Sequence, residues 1–208
     1  MTQKFCFPIR FKFNVDKFIA CLSLFAKEAF RDFSKLKAAK LLYFADKYHV
    51  IHYGRPITGD IYIHQDYGPI PSKSLDIMNE VLYDRDTGFI EEEMSNRNKV
   101  QEFISVKRGF FRHRYPIFVS IKEPALNCLS ETELEAVRET IKRYGKYSPG
   151  KLVDLTHKEA AWQNTQKNDE IDYRLFFENE PEAKGGAKEY MELAQEEREI
   201  CHMIGFHG

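Results

Sequence analysis

The sequence predicts an α+β fold, a mostly helical compact domain with a small antiparallel β-sheet. Three observations carry that prediction. Apolar residues recur at spacings of three and four in successive stretches, each opened by a residue able to cap a helix. Strand-like alternation is confined to the first thirteen residues and to short runs between 61 and 121. The order is helices, a short β region, then helices, unlike the regular alternation of strand and helix in a parallel-sheet protein.

Phe5, Phe7, Ile9, Phe11 and Phe13 occupy every odd position from 5 to 13, the period of a strand with one buried face. Pro8 lies on the other face and cannot donate to a ladder, so the segment is either an edge strand or is extended only by packing on the body. Asn14 caps a helix whose Val15, Phe18, Leu22, Phe25 and Ala29 follow a helical spacing to about residue 31. Ser34 caps a second helix in which Leu36, Ala38, Ala39, Leu41, Leu42, Tyr43, Phe44 and Ala45 are apolar nearly all round. Such a helix is the most enclosed one of a core.

The turn chemistry is concentrated in the next segment. Gly54 and Pro56 punctuate the helix end, Thr58, Gly59 and Asp60 make a turn, and Ile61 and Ile63 alternate with Tyr62 and His64 as a short strand. From Tyr67 and Gly68 the path is restricted by Pro69 and Pro71, each of which biases its predecessor to an extended conformation. Ser72 caps a third helix with Leu75, Met78 and Leu82 on one face, ending near 84–88. Short strands are then expected at 89–90, 100–106 and 117–121.

Ser130 and Glu133 fit a capping box that opens a helix through Leu134, Val137 and Ile141. Ser148 and Pro149 are an N-cap and a first helical proline, with Leu152 and Leu155 following. Thr156, with Glu159 three residues on, caps one more turn carrying Ala160, Ala161 and Trp162. Residues 178–199 hold eight Glu against Lys184, Lys188 and Arg198, with Gly185 and Gly186 interrupting the run. A terminal helix from about 187 places Tyr190, Met191, Ala194 and Cys201 on one stripe. The expected organisation is an N-terminal strand at 1–13, a domain at 14–177 and an acidic helical tail at 178–208.

Over 208 residues, 31 Lys and Arg oppose 32 Asp and Glu, so no whole-molecule field attracts nucleic acid or an anionic membrane. The balance hides an asymmetry, a tail near -5 against a body near +4. A composition of 43% apolar and 14% aromatic residues excludes collagen-like, low-complexity and mostly disordered chains. No apolar run approaches the ~20 residues of a bilayer span. The N-terminus intersperses Lys4, Arg10 and Lys12 and shows no secretory h-region. Cys6, Cys21, Cys128 and Cys201 form no CxxC pair and read as reduced thiols of a cytosolic protein.

Several constellations could carry chemistry. His49 and His52 could face a metal together, but a third ligand at a matching spacing is lacking, and imidazoles at the negative end of a helix explain them better. Asp46, Asp60, His64, Asp66 and His157 are groups able to move protons. Asp46 lies in an apolar helix, where a carboxylate needs a partner, and Arg55 is the candidate for a structural ion pair. Trp162 reads as a core plug and His157 as a capping or hydrogen-bonding residue at a helix joint. Lys107, Arg108, Arg112, His113 and Arg114 surround Phe110 and Phe111. That loop suits single-stranded nucleic acid, an acidic protein surface, or a solvated hairpin with its Phe pair turned inward.

The stretch KLLYFADKYHVIHYGRPITGDIYIHQDYGPIPS at 40–72, followed by LSETELEAV at 129–137 and LVDLTHKEAAW at 152–162, resembles the Panacea domain of SocA-like antitoxins. Phage-associated, GepA-related proteins share it. The likeness covers about 15–162 and extends toward 177. It falls on Asp46, Tyr53, Gly54, Arg55, Pro56, Gly59, Asp60, Tyr67, Gly68, Pro69 and Pro71, then on Thr156, His157 and Trp162. The resemblance implies a cytoplasmic, non-enzymatic protein, the antitoxin of a type II toxin-antitoxin pair; from the motifs above, no metal or cofactor is expected. Its partner would be a protein toxin encoded by an adjacent gene, with a Clp-type protease where the domain acts as an adaptor, and self-association as a further contact. The expected contact residues are Arg55, Asp60, Tyr67 and Pro69 in one region and Arg108, Phe110 and Arg112 in another. Asp46, Gly54, Pro56, Gly59, Gly68, Pro71, His157 and Trp162 are expected to shape the motif. A regulator that binds nucleic acid through 107–114 is the alternative, and a hydrolase built on Asp46, Asp60 and His157 is a third reading.

Overall fold

The computed structural model describes residues 8–28, 32–83, 91–108 and 115–203, without the side chains of 91–95 and 198–203. It is 57% helical with two antiparallel two-stranded sheets, so the α+β expectation holds, with the β content split in two. Asn14 opens α1 (Val15–Glu28) by accepting the Lys17 N–H at 3.0 Å on its side-chain oxygen. Ser34 caps α2 (Lys35–Tyr53), which ends on Gly54 in the left-handed region. Thirteen of the 19 residues of α2 are buried, and α1 and the helices at Ser72–Tyr83, Glu131–Tyr144, Pro149–Thr156 and Ala187–Met203 pack around it. The all-round apolar pattern therefore marks the axis of the domain.

Strands β1 (Tyr62–Gln65) and β2 (Gly68–Pro71) form a hairpin across the two-residue turn Asp66-Tyr67, with His64 opposite Pro69 and Tyr62 opposite Pro71. Those are the non-hydrogen-bonded positions of an antiparallel ladder, where a missing proline N–H costs nothing. The backbone of His64 points the other way, its N–H donating to the Asp169 carbonyl at 3.0 Å and its own carbonyl accepting the Asn168 N–H at 2.9 Å. Segment 168–171 thus covers the outer edge of β1. Helix α3 (Ser72–Tyr83) follows, with Met78 and Leu82 buried as expected.

Residues 91–101 depart from expectation. Helix α4 (Glu91–Gln101) occupies part of the stretch read as short strands, and Val100 is buried on it. Its Glu, Met, Arg, Lys and Gln are good helix formers, but they carry no apolar period for a sequence reading to detect. Strands β3 (Ile104–Lys107) and β4 (Ile117–Ser120) then pair, Ile104 opposite Ser120, and β4 continues onto Ser34 and Phe33. The expected strand at 89–90 lies outside the described residues.

The capping box of α5 (Glu131–Tyr144) is present in both halves, Ser130 with Glu133. Ser148 caps α6 (Pro149–Thr156), whose first residue is proline. The turn α7 (Ala160–Gln163) starts from Glu159 rather than from a Thr156 cap, because the Thr156 hydroxyl donates back to the Val153 carbonyl at 3.0 Å. A 3-10 turn at Tyr173–Phe177 closes onto the core.

The acidic stretch leads into α8 (Ala187–Met203), which docks on α2. Met191 and Ala187 face inward, whereas Tyr190, expected on the same stripe, is 58% exposed. The Lys184 N–H donates to the Ile51 carbonyl at 2.9 Å, tying the approach to α8 onto the end of α2. At the other end of the chain, residues 8–13 join no ladder. Ile9 is buried and Phe11 and Phe13 half-buried while Arg10 and Lys12 are exposed, so packing, not strand pairing, produces the alternation. Residues 1–7 of the expected strand lie outside the described part.

Candidate functional site

Several of the residues singled out by the sequence, Asp46 and Asp60 first, meet in one structural joint. Asp46, on the buried face of α2, accepts from the Ile57 N–H at 2.8 Å and the Thr58 N–H at 3.0 Å on Oδ1. Its Oδ2 accepts from the Thr58 hydroxyl at 2.5 Å and the Tyr62 hydroxyl at 2.8 Å. Complete burial pushes its carboxyl up to about 6, with those hydrogen bonds opposing the rise. The expected ion pair with Arg55 is not made. Arg55 instead approaches Glu133, Nη1 to Oε1 at 3.5 Å, because the turn after α2 presents its backbone N–H groups to Asp46 first.

Asp60 repeats the device one turn later. Its Oδ1 accepts from the Ile61 and Lys73 N–H groups at 2.8 and 2.9 Å, and its Oδ2 from the Ser74 N–H and hydroxyl at 2.8 and 2.6 Å. The carboxylate thereby supplies the N-terminal cap of α3 that the sequence assigns to Ser72. Its carbonyl also accepts the Tyr173 hydroxyl at 2.5 Å, across 113 positions of sequence. Each oxygen of Asp46 and Asp60 is met by two donors, so neither carboxylate has an oxygen left to present to a substrate. That removes the footing of the hydrolase reading.

Lys40 lies two turns before Asp46 on α2 and is fully buried. Its Nζ donates to the Pro69 carbonyl at 2.7 Å, and burial lowers its pKa to about 7. Gly68 passes directly above it at φ +85, and a Cβ there would lie 2.4 Å from the Thr156 hydroxyl and 2.9 Å from Lys40 Nζ. Only glycine fits that approach. The sequence reading missed Lys40, although a lysine in a helix apolar all round carries the same signal that drew attention to Asp46.

Beside the hairpin, Trp162 stacks between His64 and His157 with ring centroids 4.3 and 4.2 Å apart, and its Nε1 donates to the Gln65 carbonyl at 3.2 Å. This stack clamps α6 and α7 onto β1. His157 is the C-cap of α6, as expected of a residue at a helix joint. Gly54, Pro56, Gly59 and Pro71 are buried in the same framework. His49 is also structural, hydrogen-bonded to the Arg55 carbonyl at 2.7 Å and the Thr132 hydroxyl at 3.0 Å, and burial lowers its pKa to about 4.

The expected contact residues divide. Asp60 and Pro69 are buried inside the joint and cannot touch a partner, a correction that follows from their roles as helix cap and lysine acceptor. Tyr67, at the hairpin tip, is 69% exposed, and the Arg55 side chain is 44% exposed. Lys40 to Tyr53 spans about 20 Å of helix at 1.5 Å per residue, so the hairpin tip and Arg55 stand near opposite ends of α2. Arg108 is exposed, with its guanidinium donating to the Leu82 carbonyl at 3.1 Å. Phe110 and Arg112 lie outside the described residues. No described helix is long and apolar enough to cross a membrane.

The geometry is that of an α+β domain whose signature residues hold a turn and a hairpin in one conformation. The family model described as antitoxin SocA-like, Panacea domain, matches residues 39–163, which include Lys40, Asp46, the hairpin, Thr156 and Trp162. The chain belongs to that family, and the family name supports an antitoxin-related role with a protein partner. No match was found among curated proteins or among solved structures.

Proposed function

We propose that this chain is the antitoxin of a type II pair, binding a protein toxin encoded by an adjacent gene and holding it inactive by covering its working surface. The family membership carries this reading. The joint around Lys40, Asp46 and Asp60 supports it, because a hairpin fixed by buried hydrogen bonds loses little entropy when a partner docks on its tip. Tyr67 is the first contact, and an exposed Tyr on a rigid turn is a favoured anchor. Arg55 and the basic, aromatic stretch 107–114, with Arg108, Phe110 and Arg112, are further contacts. An interface of ordinary size buries about 800 Å² on each partner. In the adaptor mode the same complex would be handed to a Clp-type protease.

Expression of the neighbouring gene alone and together with this chain tests the proposal. Growth arrest by the neighbour, relieved by this chain, is the expected result. Relief that persists when Tyr67→Ala and Arg55→Ala are combined in a folded protein would remove the proposed contacts, and a harmless neighbour would remove the function.

A further inference from the structure

A cleft of about 110 Å³ opens between α2, α5 and the segment that carries Glu180 and Glu182. Its size is comparable to engineered cavities of ~150 Å³ that hold one benzene ring, so it has room for a single planar group. Resting on the protein-partner reading above, we propose that it receives an arginine side chain of the partner protein.

The walls are aromatic. Phe44 and Tyr144 stack with centroids 4.1 Å apart, and Tyr48 lies beside them. The chain's own Arg143 already lies over the Tyr48 ring at 5.7 Å, so this wall accepts a guanidinium. Charge points the same way. Glu159 and Glu180 both hold Lys47, and Glu182 holds Arg143 at 2.7 Å, which leaves three carboxylates against two cations. Glu159 and Glu180 are only 18% and 16% exposed, and an excess negative charge in so enclosed a place favours a cation.

A third observation is independent of both. Thr140 lines the cleft, and its buried hydroxyl has no hydrogen-bond partner among the described residues. A buried hydroxyl left unpaired is costly, and an incoming N–H would satisfy it. A guanidinium meets all three conditions at once, with a flat face for the rings and a fork of donors for carboxylate and hydroxyl. An ammonium also carries charge and donors, but it lacks the flat face that stacks on the rings and the planar fork that meets two acceptors together.

N-acetyl-arginine amide, titrated into the full chain and followed by NMR, tests the proposal without any toxin. Saturable shifts of cleft resonances are expected with an affinity on the order of 1 mM, as befits one side chain. The neutral isostere N-acetyl-citrulline amide should bind at least about tenfold more weakly, a difference of about 1.4 kcal/mol. Thr140→Val should weaken the arginine probe several-fold, and Glu180→Gln with Glu182→Gln should abolish its shifts. Equal binding of citrulline, preferential binding of N-acetyl-glutamate amide, or no saturable shift would each overturn the arginine assignment. None of these outcomes bears on toxin neutralisation, which growth rescue reads separately.

Discussion

Replacing Lys40 by Met removes the buried amine while keeping an unbranched side chain of similar length. In the fold the amine has a pKa near 7, lowered by burial from 10.5. The unfolded chain therefore binds more protons than the native one between those values, and stability rises with pH across that window. At ~1.4 kcal/mol per pH unit, less the partial titration near 7, the protein gains about 2 to 3 kcal/mol from this group between pH 7 and 9. For a chain of this size that is a rise in Tm of roughly 5 to 10 °C. Urea denaturation of the wild type and Lys40→Met at pH 7, 8 and 9 measures it. The wild type should gain this increment over the variant, whose curve lacks the contribution. At pH 7 the variant loses the bond to the Pro69 carbonyl but also loses the burden of a buried ammonium, so the two stabilities should lie close together. If both proteins respond to pH in parallel, Lys40 keeps its charge throughout, and the reading of the joint as closed by a poorly solvated amine is wrong.

Asp46 reports in the opposite direction, since its folded pKa near 6 exceeds the usual 3.8. Wild-type stability relative to Asp46→Asn should therefore increase as pH falls from 7 to 4.5, by about 2 kcal/mol, in urea titrations at the two values. The difference between the two proteins matters here because His49, lowered to about 4, pulls absolute stability the other way over much of the same range. Gly68→Ala meets both a positive φ and a Cβ contact at 2.4 Å, and differential scanning calorimetry should show a loss of about 2 to 4 kcal/mol. On the nucleic-acid alternative, Lys107→Glu with Arg108→Glu abolishes a salt-dependent affinity for DNA. The antitoxin reading expects fluorescence anisotropy to find no such affinity in either protein.

The sequence was most informative where one interaction lies within a few residues. The Ser130 and Glu133 box, the Ser148 and Pro149 start and the Asn14 and Ser34 caps are local hydrogen bonds, and each formed where its residues stand. Asp46 is conspicuous because its helix is apolar on every side, yet the sequence alone does not show its partners. Nearness to Arg55 suggested an ion pair, whereas the backbone N–H groups of Ile57 and Thr58 turn inward and take the carboxylate. Lys40 escaped notice because a long lysine stem ordinarily carries its charge out to water, and only the tertiary path of Gly68 and Pro69 closes over it. The burial of Asp60 depends on Ser74 and on the distant Tyr173, and the cleft depends on bringing 180–182 back to α2 and α5. Such contacts leave no periodic trace, and neither does α4, whose residues favour a helix without an apolar stripe.

On the antitoxin reading, a protein partner binds through a hairpin tip held by the Lys40, Asp46 and Asp60 joint. Isothermal titration of the purified chain with the product of the adjacent gene tests it most directly, using wild type and Tyr67→Ala proteins of matched stability. A saturable complex is expected, with a Kd that rises at least about tenfold, or about 1.4 kcal/mol, on loss of the Tyr67 ring. Absence of a complex, or one indifferent to Tyr67→Ala, would contradict it.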